Sequence, residues 1–367
     1  MRMRVIQAIA GAPRGGAEAF YARLVPALTR AGLDQMAVTR PVAERRRALD
    51  GAGVPTLETG FGSPYLDLLS RWRFRRAIAE FGPDIVVTWA NRASAICPSS
   101  PVAGRNFLKV GRLGGYYDPK YYRDCHHLVG NTPGICAYLR DKGWPAERVH
   151  HVPNFVDPPR GPAVARATIG TPSNVTLVVA LGRLHVNKAF DTLLKALALV
   201  PGVHLWLAGS GPEEAALKAL AGELGVTDRV SFLGWREDAA NLVAAADIFC
   251  CPSRHEPFGN VVAEAWAAGR PVVAAAASGP KTLLRHEEDG LLVPVDDVPA
   301  LATAIARIDA DRLLGARLAA AGKTRYEAEF SEVSVVRQWL DFFERISGKP
   351  AVPAKADGET PCAASPA

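Results

Sequence analysis

Short apolar runs alternate with helix-period stretches along most of this chain. That alternation restricts it to parallel sheets covered by helices, an α/β architecture. Strand-like runs fall near 4–10, 35–39, 85–88, 107–112, 126–130 and 149–152, with helical patterns near 16–31, 64–80 and 132–143. From 152 to 174 the Pro-rich sequence VPNFVDPPRGPAVARATIGTPSN breaks the pattern and reads as a linker. The alternation then restarts, with strands near 175–181, 203–208, 230–233, 247–251, 271–275 and 291–293. The expectation is two Rossmann-like, doubly wound domains, 1–155 and 174–330, joined by a linker at 156–173 and facing across a cleft. A last helical pattern, 331–346, carries an apolar stripe (Val335, Trp339, Phe342, Phe343) that must pack somewhere, with a path back across the cleft as one option. The tail 347–367 is rich in Pro and Ala and too poor in large apolar groups to fold.

Composition narrows the function classes. With 367 residues and 49% apolar content the chain can bury a large core. No apolar run approaches the roughly 20 residues of a spanning helix. Met-Arg-Met-Arg leads straight into VIQAIA without a secretory apolar region, so a soluble, cytoplasmic protein is expected. Six cysteines (97, 125, 136, 250, 251 and 362) show no CxxC or zinc spacing, so reduced thiols and no metal site are expected. Net charge is +6, but residues 1–160 hold 23 Lys and Arg against 13 Asp and Glu. A basic first half points to an anionic lipid surface or a phosphorylated acceptor. No recognition motif supports nucleic acid.

The motif richest in chemistry is EPFGNVVAE, residues 256–264, between the apolar run Asp247–Cys251 and a helix. The N–H groups at such a helix start, around Gly259, Asn260 and Val261, suit a phosphate. Glu256 and Glu264 suit hydroxyl donors on either side of it. After the strand VTLVVALG, Arg183 and Lys188 can clamp a diphosphate or remain solvated cations. Gly15 and Gly16, ahead of a helix, either let backbone approach a ligand or form a tight turn. Gly209 in LAGSGP is a weak phosphate-loop signal beside a plain turn, and Trp235 in VSFLGW can hold a base or pack between domains. The stretch SPYLDLLSRWRFRRAIAEFGPDI joins four arginines to Trp72 and Phe74; it reads as a covering helix, with contact to anionic lipid as a second use. GxSxG, P-loop and HExxH patterns are absent, so simple hydrolase and kinase readings lack their parts.

Together the fragments GRL…K…D.LL.A, LAGSGP, VSFLGW, ADIFCCPS..EPFGNVVAEAWAAGRPVVA and DGLLVP resemble the retaining glycosyltransferases of group 1, or family 4, which have the GT-B fold. GGAE (15–18), VGNT (129–132) and VPNFVD (152–157) resemble that family more loosely. GRLGGYYDPKYYRDC is similar to its bacterial lipopolysaccharide and envelope-polysaccharide members. The resemblance implies a metal-independent hexosyltransferase without a cofactor. Its donor would be a nucleotide sugar, UDP favoured, and its acceptor a lipopolysaccharide or lipid-linked glycan at the inner face of the membrane. Arg183 and Lys188 would hold the pyrophosphate with the N–H groups of Phe258, Gly259 and Asn260. Glu264 would bind ribose, Glu256 the donor sugar, and Gly16 would let the acceptor-side loop approach the phosphates. Many relatives have His-Gly or His-Asp where this chain has Gly114-Gly115, leaving Tyr116 or Asp118 to substitute. Ala189 stands where a Gly is usual. The other readings are a GT-B nucleotide-sugar epimerase or phosphorylase, and a nucleotide-sugar-binding protein without turnover.

Overall fold

A computed structural model describes residues 2–13, 15–62 and 67–352. The start of the helix expected at 64–80, the tail from 353 and Cys362 lie outside the described residues.

The first sheet has seven strands: β1 (Arg4–Ile9), β2 (Asp34–Thr39), β3 (Thr56–Glu58), β4 (Ile85–Trp89), β5 (Leu108–Leu113), β6 (His127–Gly130) and β7 (Val149–His151). They lie in the order β3-β2-β1-β4-β5-β6-β7. The second has six, in the order β10-β9-β8-β11-β12-β13. These are β8 (Thr176–Leu181), β9 (Val203–Ala208), β10 (Val230–Gly234), β11 (Ile248–Cys251), β12 (Val272–Ala275) and β13 (Leu291–Val293). The registered pairs of both sheets are parallel. Strand β3 escapes the sequence pattern because three residues at a sheet edge are too short to show a period.

Both orders are doubly wound. In the second sheet the chain steps outward from β8 through β9 to β10, then returns to the other side of β8 to begin β11. Loops leaving β8 and β11 therefore part in opposite directions, and such a switch point is where this architecture opens a crevice. Side chains of β8 are buried on both faces: Val178 and Ala180 join a core with Leu193, Leu205 and Ile305. Leu177 and Val179 join another with Trp206, Phe249 and Trp266. Burial on both faces explains why the strands read as continuous apolar runs rather than as alternation. Cys250 and Cys251 belong to this packing. Burial pushes the Cys251 thiol up to about 11 and that of Cys250 well above the ordinary range, so neither is a ready nucleophile.

The chain forms two compact units: the residues up to Val129 together with the segment from Val336, and Gly130–Val335. The last helix, Glu332–Ser347, places Trp339, Phe342 and Phe343 in the buried interior of the first unit. Their rings meet in tilted and edge-on pairs at 5.4–5.9 Å, and Phe342 meets the His127 ring edge-on at 6.4 Å. Trp339→Ala is expected to destabilise the protein by about 3–5 kcal/mol, read as a lower urea midpoint. A midpoint unchanged from wild type would mean that the helix is not integral to this core.

Candidate functional site

Two loops of the second unit, after β8 and after β11, carry most of the predicted chemistry. The first is shaped by backbone contact. Gly182 and Gly209 have φ of 149° and 145°. A Cβ on Gly209 would fall 1.8 Å from the Gly182 carbonyl oxygen, and one on Gly211 2.2 Å from that of Leu184. The glycines of LAGSGP thus let the loop after β9 press against the loop after β8. Leu184 N–H donates to the Ser210 carbonyl at 3.0 Å, and Glu213 N–H to that of Leu184 at 3.1 Å. Gly209 therefore acts on backbone packing. Beyond it Arg183 is exposed, and it makes no hydrogen bond or ion pair among the described residues. Lys188 ends the short turn Val186–Lys188, followed by Ala189 at φ 51°, ψ 37°. That left-handed conformation costs a non-glycine residue about 1–2 kcal/mol, the physical reason a glycine would be expected there.

The second loop, Pro252–Gly259, is held by Arg254. Its guanidinium donates both terminal nitrogens to Asp191 at 2.9 Å each, Nε to Asp296 at 2.8 Å, and Nη1 to the Val186 carbonyl at 2.8 Å. Nη2 also reaches Thr192 Oγ1 at 3.2 Å. One side chain so joins the loops that follow β8, β11 and β13. The Asp191 hydrogen bonds come first in raising the Arg254 guanidinium above its usual range. Desolvation opposes the charge on Asp191, but the Arg254 hydrogen bonds and charge outweigh it and hold the carboxyl below its ordinary range.

This scaffold brings Lys188 and Glu256 together. Lys188 Nζ donates to Glu256 Oε2 at 2.5 Å, and Glu256 is only 8% exposed. Glu256 Oε1 accepts from the Gly259 N–H at 3.4 Å, and its carbonyl accepts from Gly279 N–H at 2.7 Å. Gly259 sits at φ 69° as the cap of the helix Asn260–Ala267. Gly279 is obligatory: a Cβ there would lie 2.5 Å from the Glu256 carbonyl and 2.7 Å from the Gly259 nitrogen. Val262 N–H is taken by the Gly259 carbonyl at 2.9 Å, which leaves the amides of Asn260 and Val261 for an incoming anion. Glu264 stands half-buried one turn along the same helix. Phe258 and Asn260 also line a recess of about 200 Å³ with Asn131, His151, Thr282 and Arg325. Asn131 Oδ1 is buried there without a hydrogen-bond partner among the described residues. Trp235 is 78% exposed just past the end of β10.

The remaining predicted residues belong to the first unit. Gly15 caps the helix Gly16–Arg30, and a Cβ on it would meet Glu18 Oε2 at 2.2 Å. Glu18 in turn accepts from the Ala12 N–H at 3.1 Å, so a carboxylate occupies this glycine loop. Gly16 has no heavy atom within 4 Å of its Cβ direction. Asp118 caps the turn Pro119–Tyr122 by accepting from Lys120 N–H and pairs with Lys120 Nζ, both at 2.9 Å. That side-chain bond leads in lowering its pKa. Tyr116 is 52% exposed. Gly114 is explained by Arg112 at the end of β5, whose Nη1 lies 2.7 Å from where a Cβ on Gly114 would be. Arg112 is buried 4.6 Å over the Trp89 ring, and burial lowers its pKa to about 10. A side chain at 114 would require this guanidinium to shift. Among the described residues no cluster of three His, Cys, Asp or Glu side chains could hold a metal ion.

Arg254, Asp191, Asp296 and Gly279 were not legible as site residues. The partners of Arg254 lie 63 and 42 positions away, with nothing local to mark them. Arg254→Met is expected to destabilise by about 1–2 kcal/mol, the lower range for charged hydrogen bonds at a partly exposed pair. The folded carboxyl of Asp191 ionises more readily than in the unfolded chain. Its contribution is therefore complete above about pH 3.9 and is lost as pH falls through the lower folded value. The gap between wild type and Arg254→Met in denaturant titrations should be full at pH 7 and shrink below about pH 4. A gap independent of pH would remove Asp191 as the partner that matters.

Comparison with known proteins fits this geometry. The family model described as Glycosyl transferases group 1 matches residues 175–311, and that described as Glycosyltransferase Family 4 matches 14–160. The chain is 39% identical to lipopolysaccharide core biosynthesis glycosyltransferase LpsD of Rhizobium meliloti (strain 1021), over 90% of this chain and 95% of that one. It is 38% identical to lipopolysaccharide core biosynthesis glycosyltransferase LpsE of the same organism, over 92% and 97%. Anabaena HepE, solved in complex with UDP and glucose, shares the fold with a TM-score of 0.76 at 23% identity, covering 94% of this chain and 100% of that one. On identity that extends over nearly the whole of both chains, the protein belongs to the group 1, family 4 glycosyltransferases, of GT-B fold.

Proposed function

We propose that this glycosyltransferase moves a hexose-type sugar from a nucleoside-diphosphate sugar, UDP favoured, to a lipopolysaccharide or lipid-linked glycan acceptor, with retention of anomeric configuration. The observation that carries the reading is the Lys188–Glu256 pair beside the helix start at Asn260, where the second sheet switches direction. The two relatives whose names give lipopolysaccharide core biosynthesis support the acceptor class. The structural neighbour solved with UDP and glucose supports the donor class. Such an acceptor would put the reaction at the cytoplasmic face of the inner membrane.

In this reading the donor diphosphate lies against the amides of Asn260 and Val261, with Arg183 and Lys188 as its cations. Lys188 then exchanges part of its contact with Glu256 for a phosphate oxygen. Glu256, released in part, accepts hydroxyl hydrogen bonds from the donor sugar, and Glu264 accepts from ribose. The acceptor oxygen attacks the anomeric carbon on the face from which the diphosphate leaves. The carbon–oxygen bond to the diphosphate breaks, its electron pair goes to the phosphate, and a phosphate oxygen takes the acceptor's proton. Cations and helix amides stabilise the growing negative charge, so this mechanism needs no metal. Trp235 is the candidate for the base, Gly15 and Gly16 would let their loop approach the donor phosphates, and Tyr116 and Asp118 are candidates on the acceptor side.

Incubation with a panel of labelled nucleotide sugars and a membrane extract tests the reading. Label in glycolipid with release of UDP is expected. An epimer or a sugar phosphate would indicate the epimerase or phosphorylase instead, and tight binding without turnover a binding protein. Glu256→Gln keeps the size of the side chain but loses the charge. It should lower kcat by about 10²–10³-fold with an unchanged thermal melt. Turnover equal to wild type would take Glu256 out of the mechanism.

A further inference from the structure

The helix Leu68–Phe81 carries an outer face that the reaction does not use. Asp67 caps it by accepting from the Ser70 N–H at 2.9 Å, and Gly82 ends it in the left-handed conformation. Ser70, Phe74, Ala77 and Ile78 are buried. At about 100° per residue, Leu68, Leu69 and Trp72 lie on the opposite side. They are 73%, 57% and 56% exposed. The other exposed large hydrophobics among the described residues are scattered through the sequence, whereas these three share one turn and a half. Such a group on a surface helix marks an interaction site.

Charge surrounds the apolar group. Arg71 and Arg75 fall on one flank and Arg73 on the other, while Arg76 follows Trp72 one turn along, against the single carboxylate Glu80 of this helix. Arg76 pairs with Glu80 at 2.6 Å and lies 5.8 Å over the Trp72 ring. Arg71 and Arg75 line a recess of about 450 Å³ together with Ser99, Ser100 and Asp124. Asp124 is already engaged by Lys109 at 2.7 Å and Ser99 at 2.8 Å. Arg71 Nη2 also donates to the Ala95 carbonyl at 3.2 Å, which holds this guanidinium at the recess.

We propose that this face docks the first unit onto an anionic lipid bilayer, with Leu68, Leu69 and Trp72 entering the headgroup–acyl boundary and the four arginines on lipid phosphates. Trp and Leu flanked by arginine suit that boundary, where a hydrocarbon layer lies beneath a negative surface. An RNA backbone would match the arginines but give the two exposed leucines nothing apolar to enter. The basic bias of the first 160 residues, 23 Lys and Arg against 13 Asp and Glu, favours the same partner.

Co-sedimentation with phosphatidylcholine vesicles, with and without about 30% phosphatidylglycerol, tests this, with no nucleotide sugar added. It is therefore read independently of whether sugar transfer is established. Wild type should bind the anionic vesicles at least tenfold better than the neutral ones and release in 0.5 M salt. The combined variant Leu68→Ser, Leu69→Ser, Trp72→Ser should lose at least tenfold with an unchanged melt, since all three side chains are exposed. Arg71→Gln with Arg75→Gln should weaken only the anionic binding. Equal binding by wild type and the apolar variant would overturn the proposal. So would a wild-type dimer in sedimentation that the same variant turns into a monomer, since the face would then cover a second copy.

Discussion

Strands β8 and β11 are buried on both faces and carry no charge along their length, so the polar chemistry of the second sheet falls at their ends. In the second sheet Leu177, Val178, Val179 and Ala180 are all fully buried, and the first strongly polar residue after them is Arg183, beyond the carboxyl end. The same holds for β11, where Ile248–Cys251 gives way to Ser253, Arg254 and Glu256. Because β8 and β11 are neighbours from which the chain departs in opposite directions, their loops are the two placed to flank a ligand. The site follows from the core.

What keeps those loops in place is more specific. Glycines allow backbones to touch: Gly209 against Gly182, Gly211 against Leu184, Gly279 against Glu256 and Gly259. Arg254 then ties three loops with one planar group, a task for which its fixed fork of donors suits it better than a lysine. Lys188 and Glu256 meet as a consequence. Before a ligand arrives each neutralises the other, which lowers the cost of holding a carboxylate that is 8% exposed near a helix start.

The first unit applies the same logic differently. Its glycine loop holds the carboxylate of Glu18, and the end of β5 holds the buried cation Arg112 against Trp89. Gly114 lies against Arg112, and a side chain there would require that guanidinium to shift. The helix Leu68–Phe81 meets a separate demand: its inner face completes the packing, and its outer face is free to carry leucine, tryptophan and arginine.

The sequence by itself determined the α/β class, twelve of the strands, and EPFGNVVAE as a loop leading into a helix start, because periodicity and helix-start chemistry are local properties. It also placed Arg183 and Lys188 after β8, and Glu256 and the helix start after β11. It did not reveal Arg254, whose meaning lies in carboxylates far along the chain, nor β3, whose three residues are too few for a period. It left Gly209 open between ligand loop and turn, and only the approach of Gly182 showed its part in backbone packing. It read Lys188 and Glu256 as separate contacts to different parts of a donor. Only the tertiary structure decided that they bond to each other, because an ion pair across 68 positions depends on where two loops end in space and not on the residues beside them.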